Sequence, residues 1–242
     1  MRILHVIQRY WPYTGGSERH LQELSERLVR DGHRVTVFTT DAWELEHFWA
    51  RGKKRLPTGV EEHNGVTIRR FPVRHVAPFR LAYPGIRRAM LTLSDLPLDT
   101  SALLLPLGRL TPWVPDLAHA LAREDVHYDL VAAMNIVFDS LVEPALRFAR
   151  RTHVPFVLYP LTHLGEEQNR TVRRYYTMRH QVGLLKESDA LITQTDLERR
   201  ALIACGVPES KMLTVGSGVN PGEVQGGQGA RFRSKYGVAG PI

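Results

Sequence analysis

The sequence predicts an α/β fold in which helices cover both faces of a parallel β-sheet. Short apolar runs of strand length alternate with longer segments of helical periodicity along most of the chain. Residues 1–41 contain a complete example: an apolar run, a loop with two consecutive glycines, a helical segment and a second apolar run. This order is a βαβ unit, which connects parallel strands.

The same alternation continues towards the carboxyl end and predicts the remaining elements in order. Strands are expected at 2–8, 34–40, 66–72, 129–134, 154–159, 189–193 and 212–215. Helices are expected at 17–31, 115–124, 139–151, 166–187 and 195–205. Leu21, Leu24 and Leu28 give the first helix a buried stripe, and Gly32 suits the position just after its end. Thr195 and Glu198 suit a capping box at the start of the last helix.

The glycine loop before the first helix is the strongest candidate for a binding site. Ser17 is expected to cap the helix with its hydroxyl, and Gly15 and Gly16 lack the Cβ atoms that would keep a ligand away from the backbone. Free backbone N–H groups at a helix N-terminus bind phosphate, so we expect a nucleotide or another phosphorylated ligand here. A plain tight turn into a helix would also explain two glycines. The dinucleotide fingerprint G-x-G-x-x-G is absent from this loop.

Between Arg74 and Pro115 the alternation breaks down into a segment rich in proline and leucine. Arg80, Arg87 and Arg88 lie among apolar side chains, and residues 85–94 could form a short amphipathic helix. Long excursions of this kind are usually functional or pack over the domain. Two interpretations remain: a packed loop with exposed arginines, or a surface that contacts a membrane or a substrate.

Composition narrows the functional classes. The 242 residues are 43% hydrophobic and 24% charged, as in ordinary globular proteins, and one cysteine, Cys205, excludes an internal disulfide and suits a reducing, cytoplasmic compartment. We expect neither a signal peptide nor a membrane-spanning helix. The net charge of +7 fits a solvated basic surface or an anionic membrane, whereas no nucleic-acid-binding motif is present. No His, Cys or carboxylate spacing indicates a metal site.

Several long segments together resemble a GT-B glycosyltransferase of the family 4 type. YWPYTGGSERHLQELSERLVRDGHRVTVFTT resembles the start of that family, whose GG-x-E-R loop lies against the donor diphosphate. VPFVLYPLTH at 154–163 resembles the strand that ends in the family's active-site histidine, and SDALITQTDLERRALIACGVPESKMLTVGSGVN at 188–220 resembles its last strand–helix–strand unit. The resemblance implies a Rossmann-like domain over 1–220, the N-terminal half of a GT-B fold. Residues 221–242 then resemble the interdomain linker and the start of a C-terminal donor-binding domain.

This resemblance implies a retaining transferase that moves a sugar from a nucleotide-sugar donor to a glycan or lipid-linked acceptor. His163 would be the catalytic residue beside the sugar, and Gly15, Gly16 and Ser17 would contact the donor diphosphate. The nucleotide-sugar is a substrate, and neither a cofactor nor a metal is expected. A C-terminal GT-B domain, in cis or in trans, would complete the site, so we expect this chain alone to be inactive. The acceptors of many family members imply contact with the inner face of an anionic membrane.

Other residues are weaker candidates for substrate contacts. Asn135 ends a predicted strand at the same sheet edge as His163, and it suits either a hydroxyl contact or a turn. Arg19 and His20 flank the glycine loop and suit either phosphate binding or a solvated helix face.

Two rival functions remain open. A Rossmann-type NAD-dependent oxidoreductase or epimerase would use an acid such as Asp41, at the end of the second strand, to bind ribose. A non-catalytic domain that binds an acceptor or a partner subunit would need neither donor nor histidine chemistry.

Overall fold

A mostly parallel sheet organises the part of the chain that the computed structural model describes, residues 1–166 and 171–240. Its strands are β1 (Arg2–Val6), β2 (Arg34–Thr40), β3 (Gly59–His63), β4 (Val66–Phe71), β5 (Leu130–Met134), β6 (Phe156–Tyr159), β7 (Ala190–Thr193) and β8 (Met212–Thr214). They lie in the order β3-β4-β2-β1-β5-β6-β7-β8. Every neighbouring pair is parallel except β3 and β4, which are antiparallel.

Helices connect the strands and cover the sheet. The α-helices of the described residues are α1 (Gly16–Arg30), α2 (Phe79–Asp95), α3 (Ser101–Gly108), α4 (Pro115–Arg123), α5 (Asp139–Thr152), α6 (Thr171–Arg174), α7 (Arg179–Glu187), α8 (Asp196–Ile203), α9 (Pro221–Val224) and α10 (Gly229–Tyr236). Short 3-10 turns follow β2 at Leu45–Phe48 and β5 at Ile136–Phe138.

The core lies on both faces of the sheet, as the sequence predicts. Successive side chains of a strand point to opposite faces, so Ile3 and Leu4 of β1 belong to different apolar clusters. Ile3 packs in the cluster that contains Leu21 of α1, whereas Leu4 packs in the larger cluster that contains Leu117 of α4 and Leu141 of α5. The predicted α/β fold is therefore confirmed.

The first helix ends as its sequence predicts. Gly32 has a left-handed φ of 86° and its N–H donates to the carbonyl of Val29 at 3.0 Å. The N–H of His33 donates to the carbonyl of Leu28, also at 3.0 Å. This pair of bonds satisfies the last carbonyls of α1 and turns the chain into β2.

The expected strands are present, but the sheet gains one more strand, β3. Its residues are largely polar and it pairs only at the sheet edge, so it lacks the apolar run by which the other strands are recognised. The single helix expected over 166–187 is wrong, because α6 ends at Arg174 and α7 begins at Arg179. Residues 167–170 of that prediction lie outside the described residues.

The excursion after Arg74 is helical. The short helix expected at 85–94 is part of the longer α2, and α3, which was not expected, packs beside it. Towards the end of the described chain, the residues of α10 are exposed. The division into a domain over 1–220 and a linker over 221–242 stays a prediction. Among residues 1–166 and 171–240, no helix combines the length and apolar character needed to cross a bilayer.

Candidate functional site at the carboxyl edge of the sheet

A cleft of about 710 Å³ opens at the carboxyl ends of the parallel strands. Four connections line it: the start of α1 after β1, the loop after β6, the start of α8 after β7, and the segment after β8. Ligands of open α/β sheets bind at this edge. The predicted residues in its lining are Gly16, Ser17, Arg19, His20 and His163.

The first wall of the cleft is the amino end of α1. The first hydrogen bond of the helix runs from Arg19 N to the carbonyl of Gly15 at 2.9 Å, so the N–H groups of Gly16, Ser17 and Glu18 have no acceptor within the helix. A Cβ added at Gly16 would meet no atom within 4 Å, so the backbone there borders open space. The geometry is that of an anion-binding helix terminus, to which a helix of 15 residues adds its dipole.

Gly15 serves a different purpose from its neighbour. A Cβ at Gly15 would stand 2.4 Å from Oε2 of Glu18 and 2.9 Å from Cε1 of Tyr13. Gly15 does not line the cleft. The two glycines therefore have different roles. The absence of a Cβ at Gly15 leaves space for the buried carboxylate of Glu18, whereas Gly16 lines the cleft.

The expectation that Ser17 caps α1 is wrong. The capping residue is Gly15, and no side chain caps this helix. The Ser17 hydroxyl instead donates to Oε2 of Glu18 at 2.8 Å and accepts from Nε2 of Gln8 at 3.2 Å. Because α1 begins at Gly16, Ser17 lies within the helix rather than at its N-cap, and the first N–H groups stay without a side-chain cap.

Glu18 holds the glycine loop through buried hydrogen bonds, a role that the sequence analysis did not predict. Its side chain is buried, and Oε1 accepts from Gln8 Nε2 and from Arg9 Nε, each at 3.0 Å. Arg9 balances the charge of the carboxylate and also lies over the ring of Tyr13 at 3.7 Å. Charge-assisted bonds of this kind fix a loop because breaking one leaves a buried charge without its partner. The glutamate of the GG-x-E-R motif was the sequence feature from which this role could have been predicted.

The second wall carries His163. Its ring is exposed, and Nδ1 accepts from the N–H of Gly165 at 3.2 Å. Because Nδ1 is an acceptor, the neutral ring carries its proton on Nε2, which can donate to a ligand. The ring of Tyr176, which also lines the cleft, lies with its centroid 6.2 Å away.

Glu198 of α8 holds the loop that carries His163. Its carboxylate accepts from the N–H of Thr162 at 2.6 Å and from the N–H of Gln194 at 2.9 Å. Thr195 caps α8, as expected, by accepting from the N–H of Glu198 at 3.1 Å. The capping box is modified: Glu198 bonds Gln194 and the His163 loop rather than the Thr195 N–H. A residue interpreted as structural therefore positions the candidate catalytic side chain.

The remaining candidates separate into two groups. Arg19 and His20 line the cleft; Arg19 also pairs with Glu23, and His20 packs edge-on against Tyr159 with ring centroids 6.0 Å apart. Asn135 is not in the lining, and its left-handed φ of 76° marks a turn after β5. The turn interpretation of Asn135 is the one that its backbone favours.

Asp41, the candidate ribose ligand of the oxidoreductase alternative, has a structural role. It is fully buried at the end of β2, and Oδ1 accepts from the N–H of Val73 at 2.9 Å. His47 Nε2 lies 3.4 Å from the same oxygen. A carboxylate held in this way fixes the chain that crosses the sheet edge and is not presented to a nucleotide. In the described part of the chain, no group of His, Cys, Asp or Glu side chains is placed to hold a metal ion.

The fold and the cleft define a Rossmann-like domain of the kind found in GT-B glycosyltransferases. Residues 15–218 match the model of the glycosyl transferase 4-like domain family, so the chain belongs to that family. None of the curated proteins matches the chain.

Solved structures share the fold. HepE from Anabaena in complex with UDP-glucose matches 98% of this chain and 50% of its own, with 16% identity and a TM-score of 0.52. An α,α-trehalose-phosphate synthase from Burkholderia xenovorans, in complex with glucose-6-phosphate, matches 96% of this chain and 55% of its own, with 17% identity and a TM-score of 0.55. The chain thus spans about half the length of these structures. Identities this low establish the fold alone.

Proposed function

We propose that the chain is the N-terminal half of a retaining glycosyltransferase that uses a nucleotide-sugar donor. The observation that carries the proposal is the cleft itself, which brings the uncapped start of α1 and the His163 loop to one opening. Family membership and the likeness to HepE, which was solved with UDP-glucose, support this donor class.

Each wall of the cleft has a part in the proposed reaction. The donor diphosphate lies against Gly16 and Ser17, where backbone N–H groups stabilise the negative charge that grows as the bond to the anomeric carbon breaks. His163 lies beside the sugar and donates from Nε2. An acceptor hydroxyl oxygen bonds to the anomeric carbon on the same face of the sugar from which the diphosphate oxygen departs. The departing diphosphate oxygen takes the hydroxyl proton, so the products are the glycoside and the nucleoside diphosphate.

A C-terminal GT-B domain, in cis or in trans, completes this site in the proposal. The segment GSGVN at 216–220 resembles the family's interdomain hinge, and its residues 217–220 border the cleft beside Gly16 and His163. The partner domain would supply the remaining donor contacts from across the cleft. We place the enzyme in the cytoplasm, with a glycan or lipid-linked acceptor and contact with an anionic membrane as further parts of the proposal.

A comparison of ligands separates the proposal from its rivals. Purified chain is titrated with UDP-glucose and with NAD at millimolar concentration, and binding is followed by two-dimensional NMR. We expect saturable shifts with UDP-glucose and none with NAD, because the dinucleotide loop is absent and Asp41 is buried. Saturation by NAD alone would favour an oxidoreductase. Binding of neither ligand would contradict the placement of the donor diphosphate at Gly16 and Ser17.

A further inference from the structure

A second cavity, of about 740 Å³, lies outside the cleft and has no role in the proposed function so far. Its walls come from α2, from the turn after β2, from the turn after β5 and from the segment between α6 and α7. This volume falls within the range of roughly 300–1,000 Å³ that small-molecule sites occupy. The residues that line it are Trp49, Leu81, Tyr83, Pro84, Gly85, Arg87, Arg88, Val137 and Tyr175.

The walls of this cavity are mainly apolar and aromatic. Trp49 and Tyr83 form a tilted ring pair with centroids 5.6 Å apart, and both pack against the main core. Burial raises the pKa of Tyr83 to about 12, so its phenol stays neutral. Sugar hydroxyls placed here would find few partners, and unpaired polar groups are costly to bury. An apolar chain fits these walls better than a glycan does.

The two arginines of the cavity differ in their partners. Arg87 is buried, and its guanidinium donates to Asp139 Oδ2 and to the carbonyl of Tyr175, each at 3.0 Å. Its charge is thereby balanced inside the protein. Arg88 is exposed, and its guanidinium makes no hydrogen bond or ion pair with another described residue. A guanidinium without an internal partner beside an apolar cavity is suited to a phosphate group.

The cavity lies at the same edge of the sheet as the cleft. Trp49 and Val137 follow the carboxyl ends of β2 and β5, just as Ser17 and His163 follow those of β1 and β6. Tyr175 lines the cavity, and its chain neighbour Tyr176 lines the cleft. A molecule held in the cavity therefore lies beside the cleft.

We propose that this cavity binds an amphiphilic phosphate, with its apolar chain against Trp49, Leu81 and Tyr83 and its phosphate on Arg88. The further step, that such a molecule carries the acceptor sugar, rests on the proposed function. Binding of the amphiphilic phosphate does not depend on the proposed function. If such a molecule carries the acceptor sugar, the acceptor belongs to the lipid-phosphate class.

The test measures binding of monomeric decyl phosphate to the purified chain by calorimetry and by tryptophan fluorescence. Trp49 lines the cavity, and a Trp49→Phe variant separates its signal from those of the other three tryptophans. Decanol and inorganic phosphate are titrated separately. Each half-ligand should bind at least about tenfold more weakly, since a charge-assisted hydrogen bond and a buried chain each contribute that much or more. Inorganic phosphate that binds as tightly as decyl phosphate would overturn the proposal.

Matched variants locate the site. Arg88→Gln should weaken decyl phosphate binding about tenfold or more, and Leu81→Asn should weaken it severalfold. Arg123→Gln is the arginine control, because Arg123 is exposed at the end of α4, near the opposite edge of the sheet. Leu103→Asn is the leucine control, since Leu103 is 59% exposed on the adjacent α3 and Leu81 is 71% exposed. Equal losses of decyl phosphate affinity in the two control variants would overturn the assignment of the binding site to this cavity.

Two further outcomes are informative. Binding of phosphatidylglycerol vesicles without binding of monomeric decyl phosphate would contradict the cavity and indicate a membrane surface. Titration of UDP-glucose on Arg88→Gln separates the two proposals: the donor should bind as in the parent. Decyl phosphate binding without any donor binding would retain the cavity and refute the donor site proposed at the start of α1.

Discussion

Alanine at the two consecutive glycines should affect different properties, although the substitutions are chemically identical. Gly15→Ala should lower stability, whereas Gly16→Ala should lower donor affinity. Alanine at Gly15 places a methyl carbon 2.4 Å from Oε2 of Glu18, so the buried carboxylate must move. Moving it weakens bonds from Gln8, Arg9 and Ser17 at 2.8–3.0 Å. Weakening one or two charge-assisted bonds at a buried group costs about 2–4 kcal/mol in the free energy of unfolding.

Alanine at Gly16 should leave stability unchanged or slightly improved. The added methyl meets no atom within 4 Å, and Gly16 is the first residue of α1, where alanine is intrinsically favoured over glycine by up to about 1 kcal/mol. The same methyl intrudes where the donor diphosphate is proposed to lie. Donor affinity should therefore fall, and Gly16→Val should lower it further.

Thermal unfolding and NMR titration with UDP-glucose measure the two effects separately. Gly15→Ala should lower the unfolding midpoint temperature by roughly 5–15 °C for a chain of this size. Gly16→Ala should keep or slightly raise the midpoint of the parent and bind the donor more weakly. Equal stability of both variants would refute the role of Glu18. Unchanged donor binding in Gly16→Val would refute the phosphate role of the loop.

Three further predictions concern catalysis and pH. In the complete enzyme, His163→Ala should lower kcat about a hundredfold or more with little change in donor Kd, whereas His127→Ala, at an exposed histidine near the other sheet edge, should keep parental kinetics. The 242-residue chain alone should show no robust sugar transfer, and ordinary turnover by purified chain would contradict this. Burial lowers the pKa of His5 to about 4 in the folded chain, from about 6.5 in the unfolded chain. As the pH drops from about 6.5 to 4, His5 is protonated in the unfolded chain but stays neutral in the folded chain, so the free energy of unfolding should fall by about 3 kcal/mol. An NMR titration midpoint of His5 near 6.5 would contradict the last prediction.

The sequence predicts those elements whose physical cause is local. Apolar periodicity locates α1, and Gly32 marks its end because the left-handed turn there favours glycine. Thr195 is recognisable as a cap for the same reason, since its partner, the N–H of Glu198, is only three residues away. Such patterns depend on neighbours in the chain and need no knowledge of the tertiary structure.

The misses arise where distant residues decide the structure. Ser17 does not cap α1 because the helix already begins at Gly16, and its hydroxyl accepts instead from Gln8 of the preceding loop. The break before α7 accompanies long-range contacts, although the apolar pattern continues through it: Met178 packs with Met90 of α2 and Leu104 of α3, and Gln181 Nε2 donates to Asp139 Oδ2 at 3.0 Å. The second cavity forms between four elements and has no sequence motif of its own.

A nucleotide-sugar is proposed to bind where α1 begins. Amide chemical shifts mapped during a UDP-glucose titration test this proposal, because they report the place of binding as well as its occurrence. We expect the largest shifts at Gly16, Ser17 and His163 and in the segment 217–220, with none around Asp41. Saturable shifts centred on Asp41, with the glycine loop unmoved, would contradict it.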